Sequence, residues 1–183
     1  MTERNLPPPS TDLTVYTVGH STHSIAEFVE ILQAYDIEMV VDVRKIARSR
    51  HNPQFNEDEL KEHLRDHKID YVRLEGLGGL RQTTKASINT AWENLSFRGY
   101  ADYMQTPEFR EALSQLVQIA AGLRTVIMCA EAVPWRCHRS LIGDALLVQD
   151  LRVVDIMTEK SSKPHVLTPW AKVEHDWITY PKA

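Results

Sequence analysis

The stretch "LTVYTVGHSTHSIAEFVEILQAY", residues 13–35, shows the pattern that decides the fold. Its first part is a β-branched run that ends in a glycine, which is typical of a buried strand followed by a tight turn. In its second part, apolar residues recur at helical spacing after Ser24, a residue type that favours helix N-caps. The stretch therefore predicts a strand, a turn and a helix.

The same alternation continues along the chain. Further strands are predicted at residues 38–43, 69–74, 124–130 and 152–157, and helices at residues 56–67, 97–121 (parted near Thr106 and Pro107) and 135–149. Alternating β and α segments are typical of a parallel sheet covered by helices on both faces. We predict an α/β fold with a flexible, polar leader at residues 1–12 and one doubly wound, Rossmann-like domain of about five mainly parallel strands at residues 13–183.

Composition limits the class of protein. The 183 residues are 43% hydrophobic and 25% charged, as in ordinary soluble domains, and no apolar run approaches the ~20 residues that span a bilayer. The N-terminus has no apolar segment typical of a secretory signal. Two cysteines do not make a disulfide framework. We therefore expect a cytoplasmic protein with reduced thiols and no membrane contact.

Polar residues follow four of the predicted strands. The strands run into "GHSTHS", "DVRKIARSRHNPQF", "EGLGGLRQTTK" and "CAEAVPWRCHR". Ligands of such sheets bind beyond the carboxyl ends of the strands. Loops are often polar without a function, so the convergence of four endings is the informative feature. The residues expected to meet at this edge are His20, Ser21, Asp42, Arg44, Gly78, Gly79, Cys129 and Glu131.

The formal net charge of -4 conceals an uneven distribution. Acidic residues concentrate on the predicted helices, whereas basic residues concentrate in the edge loops, namely Arg44, Lys45, Arg48, Arg50, His51, Arg81, Lys85, Arg136 and Arg139. A basic mouth on an acidic body favours an anionic ligand, and guanidinium groups fit phosphate well. A solvated basic loop remains the alternative for residues 44–51.

The segment "MCAEAVPWRCHRS", residues 128–140, contains both cysteines. If a helix starts near Pro134, Cys137 lies in its first turn, where the helix dipole and nearby arginines favour a thiolate. Inert packing is the alternative for Cys137, and a core hydrogen bond is the alternative for His138. Cys129, at a strand end beside Glu131, is the better-placed nucleophile.

Three chemistries can be compared for this segment. Cys137 and His138, as neighbours on a helix, would diverge by about 100°, so we predict no bound metal. A phosphatase or rhodanese loop is disfavoured because the arginine is seven residues after Cys129 and Glu131 would repel an anion. Acid–base or glycosyl-transfer chemistry at a carboxylate remains. The candidate catalytic residues are Glu131, Asp42, His20 and Cys129, and we expect Glu131 to matter more than the cysteines.

Several aromatic residues lie near the same edge. Trp135, between Pro134 and Arg136, is the best candidate for stacking on a base, a contact worth ~1–3 kcal/mol. Tyr100 and Tyr103 share a helical face with Phe97, which favours a core position for both.

Seven motifs carry a family resemblance: "VGHS" (18–21), "VDVR" (41–44), "NPQF" (52–55), "LGG" (77–79), "FRGYADYM" (97–104), "CAEAVPWRCHRSLI" (129–142) and "LTPWA" (167–171). From Val15 to Pro181 the chain resembles the bacterial family named domain of unknown function 488. Ala47 departs from it, since the family often has a proline there. The resemblance implies a Rossmann-like fold and the place of the site, but no reaction. The family's motif positions in this sequence are His20, Ser21, Asp42, Arg44, Gly78, Gly79, Cys129, Glu131, Cys137, His138 and Arg139.

Two functional hypotheses follow. The first is an enzyme that acts on a phosphate-bearing nucleotide or nucleic acid, with Glu131 or Asp42 as acid or base and His20 assisting. The second is a module that binds such a ligand without turnover. No cofactor is assigned in either case. The candidate ligand-binding residues are Ser21, Arg44, Arg48, Gly78, Gly79, Trp135, Arg136, Cys137, His138 and Arg139.

Overall fold

A computed structural model describes residues 12–183. The predicted leader at residues 1–12 lies outside these residues, apart from Asp12. Within the described range, no helix has both the length and the apolar composition needed to cross a membrane.

The elements follow the predicted alternation through the first five strands. In chain order they are β1 (Thr14–Gly19), α1 (Ile25–Ala34), β2 (Met39–Asp42), α2 (Glu57–Asp66), β3 (Asp70–Arg73), α3 (Leu95–Tyr103), α4 (Pro107–Gly122), β4 (Thr125–Cys129), α5 (Arg139–Val148), β5 (Arg152–Thr158), β6 (Ser161–Pro164), β7 (Lys172–Glu174) and β8 (Trp177–Thr179). Short 3-10 helices lie at Pro53–Phe55, Glu75–Leu77 and Pro134–Arg136.

The central sheet has six strands in the order β3-β2-β4-β1-β5-β6. The first five are parallel, and β6 pairs antiparallel with β5 at the edge. This confirms the predicted mainly parallel α/β sheet. The sequence analysis missed β6 and the separate hairpin of β7 and β8. These strands are short and mostly exposed, so they lack the apolar runs that mark buried strands.

Helices cover both faces of the sheet, which makes the domain doubly wound. On one face, Phe28 and Leu32 of α1 and Leu60 of α2 pack with Val40 and Val126 of the sheet. The other face packs against α3, α4 and α5, and Ile178 and Tyr180 near the C-terminus join this second core. Successive strand residues point to opposite faces, so each central strand contributes to both cores.

Local sequence signals explain where some helices begin. Ser24 caps α1 as predicted: its side chain accepts a hydrogen bond from the Glu27 amide, and the Glu27 carboxylate accepts one from the Ser24 amide. The prediction of one helix over 135–149 is wrong at its start. Pro134–Arg136 forms a 3-10 turn closed by the Cys137 amide, Cys137 is extended (φ -134°, ψ 147°), and α5 begins only at Arg139.

Candidate functional site

The loops after β1 and β4 are joined at the carboxyl edge of the sheet. The amide of His20 donates to the carbonyl of Cys129 (2.9 Å), and that of Ser21 donates to the carbonyl of Ala130 (3.0 Å). A Cβ atom on Gly19 would lie 1.9 Å from the carbonyl oxygen of Glu131. Only glycine therefore allows the loop that carries Glu131 to cross the end of β1 this closely.

Two cavities lie at this edge. The first, about 340 Å³, is lined by Arg44, Lys45, Ile46, Gly79, Leu80, Ser96, Phe97, Tyr100, Cys129, Ala130, Glu131, Arg136, Cys137 and His138. The second, about 380 Å³, is lined by His20, Ser21, Thr22, Arg44, Ile46, Arg48, Ser49, Asn52, Ala130, Glu131 and Ala132. Four residues contribute to both cavities, and Glu131 is one of them. Both volumes are in the range of small-molecule sites, ~300–1,000 Å³.

Cys129, Cys137 and His138 form a cluster in the first cavity, which we call the thiol–imidazole cluster. Their ligand atoms all lie within 4.8 Å of one another, and Cys137 Sγ is 3.6 Å from His138 Nδ1. Nε2 of His138 is 2.7 Å from the carbonyl oxygen of Val43. A carbonyl can only accept, so Nε2 carries the hydrogen and the lone pair of Nδ1 is available to the sulfurs.

The two cysteines differ in acidity. A hydrogen bond from Cys129, with further help from His138 and Arg139, holds the pKa of the Cys137 thiol well below its usual value against the effect of burial. The same hydrogen bond, together with burial, raises the pKa of Cys129. Cys137 is therefore the better thiolate, whereas the sequence analysis favoured Cys129 as the nucleophile.

This cluster removes two premises of the sequence analysis. Cys137 and His138 do not lie together on a helix, because the chain is extended at Cys137, so the argument that their side chains must diverge is wrong. Cys137 also has an imidazole partner, His138, which a reactive thiol requires. The absence of a bound metal stays a prediction, but its geometric reason is lost.

Asp42 lies at the expected edge but is fully buried and lines neither cavity. Its carboxylate accepts hydrogen bonds from the Arg44 amide (3.0 Å), from the Arg44 guanidinium (2.5–3.1 Å) and from the Tyr71 hydroxyl (2.7 Å). Burial and this carboxylate raise the pKa of Tyr71. The geometry makes Asp42 the residue that positions Arg44, and a direct acid–base role for Asp42 stays a prediction.

His20 lines the second cavity as a neutral ring. It stacks on Phe55 with ring centroids 4.1 Å apart, and burial above all lowers its pKa to about 4. Nδ1 is 2.9 Å from the carbonyl of Ser21, so it donates there, and Nε2 is left to accept from Arg44 Nη1 at 3.4 Å. Ser21, with a φ of 46°, turns the chain into this cavity.

The basic residues divide into buried and exposed groups. Arg139 is fully buried and lines neither cavity; it donates to the Glu131 carbonyl (2.6 Å) and to Thr17 Oγ1 (3.4 Å). Arg139, predicted as a ligand-binding residue, therefore holds the Glu131 loop and Thr17 in the structure and does not face either cavity. Lys45 and Arg136 are exposed on the first cavity and Arg48 on the second, and none of them forms an ion pair within residues 12–183.

The loop after β3 approaches the thiol–imidazole cluster at its two glycines. A Cβ on Gly79 would lie 3.0 Å from His138 Nδ1, and one on Gly78 would lie 3.1 Å from the Cα of Lys45. Gly79 lines the first cavity, but Gly78 lines neither, so its role is close packing of the loops. Trp135 is 62% exposed and also lines neither cavity, which leaves its predicted stacking role without a pocket.

The sequence analysis missed the apolar wall of the first cavity. Ile46 and Leu80 are 63% and 71% exposed there, opposite Phe97 and Tyr100. Tyr100 is buried, as expected, but its ring also lies 5.0 Å from that of His138, and its hydroxyl donates to the Leu77 carbonyl. The unusual signal in the sequence was a pair of large apolar residues inside otherwise polar loops.

Comparison with protein families gives one match. The model of the family described as "Domain of unknown function DUF488" matches residues 24–146, well over half of the chain. This range contains every predicted site residue except His20 and Ser21. Searches of curated proteins and of solved structures gave no match.

Proposed function

The chain belongs to the DUF488 family, and we propose that it is an enzyme that acts on a phosphate-bearing nucleotide or nucleic acid at the carboxyl edge of the sheet. The observation that carries this proposal is the composition of the first cavity. One wall is apolar and partly aromatic, two exposed cations lie at the mouth, and two thiols, an imidazole and the exposed Glu131 carboxylate complete the lining.

The ligand class follows from the wall and the mouth. Phe97, which is half-buried, offers aromatic surface to a planar base, and base–aromatic contacts of this kind do not depend on the base. Lys45 and Arg136 supply positive charge that no described carboxylate neutralises. A ligand with a flat apolar part and an anionic part satisfies both features, and a nucleotide is the common molecule of that kind.

The case for turnover rests on Glu131. Its side chain is exposed to both cavities, and no hydrogen bond to its carboxylate is found among the described residues. Arg139 holds only its main-chain carbonyl, which fixes the loop and leaves the carboxylate to the ligand. A carboxylate in an anion site weakens simple binding, so its presence favours proton transfer over recognition alone. His20 and the Asp42–Arg44 pair position the surrounding loops.

The test measures binding first. Isothermal titration calorimetry with nucleoside monophosphates and with short single-stranded DNA and RNA should detect binding that weakens as salt rises. Arg136→Gln should weaken binding about tenfold, in line with the loss of one charge-assisted contact. Arg65→Gln, which changes an exposed arginine on α2, is the matched control and should leave affinity unchanged. If no phosphate-bearing compound binds, the proposal fails.

Turnover is measured on any ligand that binds, by anion-exchange chromatography of the products. Glu131→Gln should keep or raise the affinity, because it removes a negative charge from the anion site, and it should abolish turnover. Binding with no turnover by the native protein would assign the chain to the alternative class, a non-catalytic nucleotide- or nucleic-acid-binding module.

We also propose that the protein works in the cytoplasm. Its two cysteines do not make a disulfide framework, and thiols that serve as ligands or nucleophiles stay reduced in that compartment.

A further inference from the structure

The thiol–imidazole cluster has the residue types and the geometry of a metal site. We propose that Cys129, Cys137 and His138 bind one zinc ion, with the fourth coordination position open to the first cavity. This replaces the prediction from sequence that no metal is bound, which depended on a helix that the structure does not contain at Cys137.

The spacing of the donor atoms fits tetrahedral zinc. With Zn–S near 2.3 Å and Zn–N near 2.0–2.1 Å, a tetrahedron has an S–N edge of about 3.5 Å and an S–S edge of about 3.8 Å. The observed Sγ–Nδ1 distance for Cys137 and His138 is 3.6 Å, and the three donor atoms lie within 4.8 Å of one another. Small adjustments of the Cys129 side chain bring all three onto one ion.

The histidine is already oriented as a ligand. Metal-bound histidines almost always donate their second ring N–H to a carboxylate, a carbonyl or a water, which fixes the ring. His138 Nε2 donates to the Val43 carbonyl at 2.7 Å, so Nδ1 faces the sulfurs without a hydrogen. Gly79, whose Cβ would lie 3.0 Å from this Nδ1, leaves the space that the ring occupies.

The surroundings stabilise thiolate ligands. The amide of Arg139 at the start of α5 lies 3.5 Å from Cys137 Sγ and donates to it, as amides commonly do to metal-bound sulfur. The guanidinium of Arg139 is buried nearby and forms no ion pair within the described residues. The surroundings of Cys137 therefore favour its thiolate, and metal binding displaces the proton of Cys129, since thiolate is the form of cysteine that binds metals.

Zinc fits the donor set, and the open position indicates a catalytic rather than a structural ion. Two thiolates and one imidazole in tetrahedral arrangement select zinc over hard oxygen-binding cations. Structural zinc sites have four protein ligands, whereas catalytic sites have three and leave one position for water or substrate. All three residues line the first cavity, as does Glu131. The role of the metal in turnover rests on the proposed function, but its binding does not.

The experiment titrates the reduced, metal-free full chain with Co²⁺, which reports thiolate coordination by visible d–d bands and a near-ultraviolet charge-transfer band. One equivalent of Co²⁺ per chain should bind and be displaced by Zn²⁺. Cys129→Ser and Cys137→Ser should each lose about half of the charge-transfer intensity and weaken binding at least tenfold, and the double variant should lose the band. His138→Ala should weaken binding similarly, whereas His51→Ala, which changes an exposed histidine, is the control and should bind normally.

Folding is checked separately. Zn²⁺ should raise the melting temperature of the native protein and of His51→Ala, but not that of the double cysteine variant, as expected for a ligand that binds only the folded state. The proposal is overturned if reduced, folded protein binds no Co²⁺, if the spectrum lacks the thiolate band, or if the double cysteine variant binds as tightly as the native chain. No nucleotide is used, so failure here is distinct from failure of the proposed function.

Discussion

The protonation state of the buried His165 ring gives a direct test of the electrostatics of this protein. The ring lies between two buried carboxylates, with Nε2 3.0 Å from Asp144 Oδ1 and Nδ1 2.9 Å from Asp155 Oδ2, and only 6% of its side chain is exposed. Tyr180 donates its hydroxyl to Asp144 and Thr17 donates to Asp155, so the other groups that face this site are neutral donors. Both ring nitrogens therefore have anionic acceptors, which favours the protonated ring.

The pKa shift of His165 gives the size of its contribution to the free energy of unfolding. Burial opposes the charged ring, but the hydrogen bonds and charges of Asp144 and Asp155 dominate and raise the pKa from 6.5 to about 9. The folded state holds the proton more tightly than the unfolded state, so the stabilisation is full below about pH 6.5 and is lost as the pH rises through 9. It amounts to about 3 kcal/mol at pH 6, about 2 kcal/mol at pH 7.5 and about 0.2 kcal/mol at pH 9.5.

The perturbation is His165→Gln, which keeps hydrogen-bonding ability but has no charge at any pH. The difference in the free energy of unfolding between the native chain and the variant, measured in urea, should shrink by about 3 kcal/mol between pH 6 and about pH 9.5. His51→Gln, at an exposed position, should track the native chain at every pH. A constant difference between native and His165→Gln curves over this range would refute a protonated His165.

Three further predictions concern the loops around the site. Gly19→Ala, whose Cβ would overlap the Glu131 carbonyl, should shift the Glu131 loop and lower the free energy of unfolding in urea by at least about 2 kcal/mol. Gly122→Ala, whose Cβ would meet open space, should be neutral or slightly stabilising. Asp42→Asn should lower the free energy of unfolding by about 3 kcal/mol or more, because it leaves the buried Arg44 guanidinium unpaired. Tyr71→Phe should lower it by only about 1 kcal/mol, and equal losses in the two variants would count against the ion pair. Arg139→Met should cost about 3 kcal/mol, because it removes the hydrogen bonds of a buried charged donor to the Glu131 carbonyl and to Thr17, and it should lower ligand affinity. Arg65→Met on exposed α2 should change neither quantity by more than about 0.5 kcal/mol.

Four of the five parallel strands could be predicted because each contains a buried apolar run between turn residues, and β3, which is half-buried, was predicted from the apolar residues of "IDYVRL" and from the alternation of strands and helices. Their observed bounds differ from the predicted ones by only a residue or so, as in Thr14–Gly19 for the run that starts at Leu13. The start of α1 could also be predicted, because its capping box consists of Ser24 and Glu27, which are only three residues apart in the sequence. The strands β6, β7 and β8 could not be predicted, because they form by pairing with other segments and have no apolar pattern of their own.

The place of the site followed from topology, but the roles of its residues did not. Parallel strands bring their carboxyl ends to one edge, so the sequence could place His20, Arg44, Cys129 and Glu131 together. Whether an arginine faces a ligand or is buried depends on partners far away in the chain. Arg139 is buried against Thr17, 122 residues earlier, and no local pattern reports that contact.

The burial of Arg139 also explains how the C-terminal segment supports the site. Burying a guanidinium with no ion pair in the described part of the chain should cost stability. Arg139, however, donates to Thr17, and Thr17 donates to Asp155. The His165 ring then donates to both Asp155 and Asp144. Positive and negative groups therefore alternate along one buried chain of hydrogen bonds, and each charge has an opposite neighbour or a dipole that leads to one. At its far end Arg139 holds the Glu131 carbonyl at 2.6 Å. The loop that carries the candidate catalytic carboxylate is thus supported, through Arg139, by Asp155 and His165, which follow α5 in sequence and lie outside the matched family range of residues 24–146.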